Sequence, residues 1–170
     1  MSITPVFAAG SIQTIETPLP PIDMKLANEV WELVQNTTSI NEFDPPPIVI
    51  DWDVPLPYGG GFQFPTVSSP GTRVQISIAP RTIDINERVT PGYIYYAIGH
   101  EFIHYLLWKR GYQIDEADPQ HGSHHCLAEF RSASEKLLDF IMSRIYSPDL
   151  KIRAMGRLGA QCVREGGQIH

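Results

Sequence analysis

The sequence predicts a single α+β domain, and three observations predict it. Leu26, Val30, Leu33 and Val34 recur at helical spacing early in the chain, while Val74, Ile76 and Ile78 alternate with Arg73, Gln75 and Ser77 near its middle. Two further helical stretches follow, one bounded by Pro91 and Gly111 and one with an apolar stripe over about residues 127–145. With 170 residues and 42% apolar content, the chain is long enough to bury one core without disulfide or metal staples. It contains no internal repeat.

Taken in order, residues 1–22 are rich in proline and small hydroxylated side chains and lack a period, which predicts an extended N-terminal arm. The remainder, 23–170, reads as one domain. Its first helix runs from about Asp23 to Gln35, with Trp31 bordering the apolar stripe. "PIVIDWD" has strand composition, and "GFQFPTV" reads as its hairpin neighbour across the Gly59 to Gly61 turn. "TRVQISIAP" alternates cleanly, so one face is expected in the core and the other in water. A second helix is expected with Thr90 as N-cap, Pro91 at its first position and Gly111 at its end. After the loop "QIDEADPQHG", a third helix carries Leu127, Phe130, Leu137, Leu138, Ile141 and Ile145. Trp52 and Trp108 are expected in the core.

Charge and composition exclude some classes of function. A formal net charge of −6 gives no electrostatic footprint for a phosphate backbone, so no direct nucleic-acid binding is expected. Lys109 and Arg110 fall where a helix ends, a place the helix dipole favours for cations. Cys126 and Cys162 are neither a CxxC pair nor a framework, and two thiols fix no redox compartment. The N-terminus lacks a basic n-region, and no run of eighteen apolar residues occurs. The expectation is a soluble, cytoplasmic protein with no membrane partner.

The chemistry concentrates in "GHEFIHYLLW" within the second helix. Residues four apart lie on one helical face, so His100 and His104 can aim two imidazole nitrogens at one point, a donor pair that suits Zn²⁺. Glu101 is rotated by about 100° from His100 and can reach a water held there without being a ligand. The spacing thus gives the histidines the metal and Glu101 the proton from the attacking water. A hydrolytic zinc site needs a third protein ligand, and "DPQHGSHHCLAEF" supplies the candidates. His121 lies 17 residues beyond His104, beside Gly122, and is the first choice; Glu129 or His125 comes next and His124 last.

The surrounding residues have plainer expectations. Tyr93, Tyr95 and Tyr96 read as packing residues with wet hydroxyls, with oxyanion stabilisation as the alternative. Asp115, Glu116 and Asp118 read as solvated charge, one of which could orient a ligand histidine. "TRVQISIAP" is the candidate edge along which an extended substrate would pair.

"VQISIAPRTIDI", then "GHEFIHYLLW", then "QHGSHHCLAEF" follows a layout that resembles the SprT-like metallopeptidases over about residues 73–131. The resemblance implies a zincin-like domain, with a small, mainly antiparallel sheet packed on the HExxH helix and two further helices. It implies zinc held by His100, His104 and His121, with Glu101 as general base, and hydrolysis of a protein or peptide substrate. Where that family carries an aromatic residue in HGxxF, this chain has His125. No cysteine-rich zinc ribbon or basic extension follows, so the DNA-linked role of several SprT-like proteins is not carried over. Two other readings stand beside this one. The first is a non-catalytic assembly protein that keeps the fold and metal site, with residues 1–22 contacting a partner or a second copy. The second is a hydrolase of non-peptide amides.

Overall fold

The computed structural model describes residues 22–56, 58–112 and 122–155. The first helix, α1, spans Met24–Thr38. The Asp23 carboxylate accepts the N–H groups of Lys25 (3.0 Å) and Leu26 (3.2 Å), satisfying two donors that a helix start leaves open. Its stripe of Leu26, Ala27, Val30, Trp31 and Val34 is buried as the spacing predicts.

Three short strands, β1 (Ile48–Ile50), β2 (Gly60–Gln63) and β3 (Gln75–Ile78), form one sheet in the order β1-β3-β2. β1 and β3 are parallel, with Ile48 opposite Ile76 and Ile50 opposite Ile78; β2 and β3 are antiparallel, with Phe62 opposite Ile76. Two expectations are corrected here. The sheet is mixed, not mainly antiparallel, and β1 and β2 are not hairpin partners, because β3 inserts between them. That insertion lets the four isoleucines of β1 and β3 share one buried face. β3 also lacks the wet face its alternation suggests: Ser77 is buried beside Ile76 and Ile78.

A helix with no counterpart among the expected elements, α2 (Pro80–Arg88), follows β3 directly, with Pro80 at its first turn. The next helix, α3 (Tyr93–Lys109), starts two residues later than Pro91. Its N-cap is Gly92, at φ 87°, a left-handed conformation suited to glycine. Thr90, the expected cap, instead accepts a hydrogen bond from Arg153 Nε, and Asn86 of α2 accepts the Ile94 N–H at 3.2 Å.

α3 is the centre of the molecule. Fourteen of its seventeen residues are buried, so it is covered on every side and has no solvent face to make it amphipathic. α1, α2, β2, β3 and the last long helix, α4 (Ala128–Arg144), all pack on it. Gly99 sets the closest approach: a Cβ there would stand 2.5 Å from Leu137 Cδ2 on α4 and 3.0 Å from Val30 Cγ1 on α1. The three helices therefore meet at the residue immediately before His100.

Gly111 ends this region at φ 99°, and a 3-10 turn, Gly122–Cys126, precedes α4. Cys126 is disulfide-bonded, while the chain's other cysteine, Cys162, lies outside the described residues. Trp52 is 79% exposed, contrary to expectation, at the turn after β1. Trp108 does pack on the core, with its ring 5.4 Å from Phe62 and 5.6 Å from Phe64.

Candidate metal centre

Helical spacing puts His100 and His104 on one face of α3, and the 3-10 turn brings a third ring to the same place. His125 Nε2 lies 3.0 Å from His104 Nε2 and 3.2 Å from His100 Nε2. The three side chains offer donor atoms all within 4.8 Å of one another. Tetrahedral zinc at about 2.0–2.1 Å from each nitrogen would separate its ligands by about 3.3–3.4 Å. The spacing is thus close to the edge of a coordination tetrahedron, and the donor set fits a metal ion.

The centre is asymmetric. His104 and His125 are 0% exposed, whereas His100 (8%) and Glu101 (5%) keep a little contact with solvent. Phe130, fully buried on α4, places its ring 4.9 Å from His100, 4.5 Å from His104 and 5.2 Å from His125. This apolar wall limits rotation of the three imidazoles and keeps water off one side. A cleft is lined by Tyr58, Gly59, Gly60, Tyr96, Ala97, His100 and Glu101. The two site residues that keep contact with solvent, His100 and Glu101, both line it.

Polar clamps fix the far wall of the cleft. Arg81 Nη2, on α2, donates to the carbonyls of Val54 (3.0 Å), Pro55 (2.8 Å) and Tyr58. Thr82 Oγ1 donates to the Gly59 carbonyl at 2.6 Å, and that oxygen also accepts the Ala79 N–H at 2.9 Å. A Cβ at Gly60 would stand 2.6 Å from the Ser77 carbonyl, so the close approach of β2 to β3 requires glycine there. Among the described residues β2 pairs only with β3 and is the edge strand beside the cleft, whereas β3 is bonded on both sides. The expectation that "TRVQISIAP" offers the open edge is corrected: β3 is central, and the edge beside the cleft is Gly60–Gln63.

His100, Glu101 and His104 are brought together where the sequence predicts. His121, the third ligand implied by the resemblance, lies outside the described residues, as do Asp115, Glu116 and Asp118. Glu129 is exposed in the first turn of α4 and takes no part in the cluster. His124 is fully buried, with its Nδ1 3.0 Å from Nδ1 of His104. Tyr93, Tyr95 and Tyr96 are buried packing residues; the Tyr95 hydroxyl accepts the Asp23 N–H at 3.0 Å, and burial raises its pKa. Tyr96 also lines the cleft, its ring 5.8 Å from that of His100. The signal for His125 was available in the "HH" pair, but a 3-10 turn has no period from which to read which ring faces inward.

Compared with protein-family models, with curated proteins and with solved structures, the chain matches none. Fold and site alone define what it is: an α+β protein whose three buried histidines lie close enough to bind a metal ion. No helix among the described residues is long and apolar enough to cross a membrane.

Proposed function

We propose that this protein is a zinc-dependent metallopeptidase of the SprT-like type, with His100, His104 and His125 as the metal ligands and Glu101 as the general base. The convergence of three imidazole nitrogens beside a carboxylate that lines a cleft carries this reading. Zinc, when bound, supplies a Lewis acid that polarises the scissile carbonyl and makes water a better nucleophile. The Glu101 carboxylate takes a proton from the attacking water and passes it to the leaving amine nitrogen.

The edge strand Gly60–Gln63 supports a peptide over another amide. Main-chain N–H and C=O groups along this edge suit an extended chain, and Gly59 and Gly60 line the same cleft as Glu101.

The test joins metal content with hydrolysis of a mixed peptide library. The proposal expects about one zinc per chain and cleavage by the parent. Glu101→Gln should retain the metal and lose cleavage by about 10²–10⁴-fold, the range for a positioned general base. Equal cleavage by parent and variant would remove Glu101 from its role. Cleavage of non-peptide amides alone would reassign the substrate class.

A further inference from the structure

We infer that His124 is a positioning residue: it fixes the tautomer and ring orientation of His104, and thereby the metal affinity of the centre. The inference rests on the proposed metal site and adds a residue that neither the HExxH spacing nor the three-histidine cluster includes.

The argument is a proton count along one chain of contacts. For His104 Nε2, which faces His125 Nε2 at 3.0 Å, to bind a cation, it must present a lone pair. The single proton of neutral His104 then sits on Nδ1. That N–H points to Nδ1 of His124, 3.0 Å away, which must accept and so carries no proton. The proton of His124 is consequently on Nε2, which faces the Tyr112 carbonyl at 3.4 Å, a group that can only accept. Both ends of the chain demand the same assignment: His124 Nε2–H donates to Tyr112, His104 Nδ1–H donates to His124, and His104 Nε2 is left for the metal.

Ring geometry agrees. The imidazoles of His104 and His124 are inclined by only 18°, with centroids 5.2 Å apart, a separation suited to edge-to-edge contact through Nδ1. Both rings are fully buried, so water does not compete for the bond. Two successive residues of one 3-10 turn thus divide the work: His125 faces the metal, and His124 faces the back of His104. Partners of this kind hold a ligand ring in place and raise its basicity, and their loss commonly weakens metal binding by about 10–100-fold.

The test measures zinc affinity by chelator competition for the parent, His124→Phe and His124→Asn, with circular dichroism to follow the fold. Phenylalanine fills the space without an acceptor, whereas the asparagine carboxamide oxygen can take the place of Nδ1. The expected result is zinc binding weakened by about 10–100-fold in His124→Phe and restored close to the parent in His124→Asn. Nitrogen-15 NMR of the zinc-loaded parent, which needs no substitution, should show the His104 proton on Nδ1 and that of His124 on Nε2. Equal affinity in the phenylalanine variant, equal weakening in both variants, or the opposite tautomer of His124 would overturn the inference. A parent that binds no zinc would instead overturn the metal centre itself, and both results are independent of whether peptides are cleaved.

Discussion

The two walls of the cleft are built differently. On one side α1, α3 and α4 close around Gly99 and Phe130 through apolar contact, with the metal-ligand candidates embedded in that packing. On the other, the carbonyls of Val54, Pro55, Tyr58 and Gly59 are held by hydrogen bonds from Arg81 and Thr82. Packed side chains tolerate little displacement, whereas carbonyls released from a guanidinium can turn to water. The histidine wall is held by apolar packing and the facing wall by hydrogen bonds to main-chain carbonyls.

The largest effect is expected from Phe130→Ala. It opens a cavity against three imidazoles and should cost about 3–5 kcal/mol of unfolding free energy, with weaker zinc binding in chelator competition. Gly99→Ala should follow at about 1–3 kcal/mol, because the new methyl meets Leu137. Leu137→Ala removes a buried side chain and is costly alone, and the double variant should lose less than the sum of the two, a non-additivity readable in denaturant melts. A fully additive double variant would break the claim that the helices touch at Gly99.

Arg81→Met tests the other wall. Its expected stability loss is smaller, about 1 kcal/mol, accompanied by faster hydrogen exchange of the amides at Tyr58 to Gly60. An effect as large as that of Phe130→Ala would erase the contrast between the walls.

A pH dependence is expected as well. Burial, reinforced by the nearby Asp44 charge, pushes the Tyr105 phenol up to about 12, and its hydroxyl donates to the Asp44 carbonyl at 2.9 Å. Burial raises Tyr95 as well. Above the ordinary phenol pKa of about 10, the unfolded chain releases protons that the folded chain keeps, so stability falls as pH rises. Alkaline melts should show this loss between about pH 10 and about pH 12, and Tyr105→Phe should lessen it.

The parts legible in the sequence are those with a period or clear end signals. α1 and α4 follow from 3.6-residue spacing, and α3, with His100 and His104 in it, follows from Pro91 and Gly111 at the ends of its apolar run. α2 was missed because "PRTIDINER" is mostly polar and buries only Thr82 and Ile83, too few residues to mark a stripe. The order of the strands was misread because three glycines suggest a turn, while which strand fills the centre depends on non-local pairing that no local pattern encodes. Trp52 is expected in the core, yet its position in a turn between Asp51 and Asp53 leaves it in water. The third histidine was legible as a set of candidates and not as a choice, since the contact is made by a turn and not by a helical face.

That choice is the centre of the account, and zinc stoichiometry in two variants tests it directly. Metal content per chain should be about one in the parent, lost in His125→Ala and kept in His121→Ala. Zinc kept in His125→Ala and lost in His121→Ala would contradict the centre described by the converging nitrogens and restore the ligand set that the family resemblance implies.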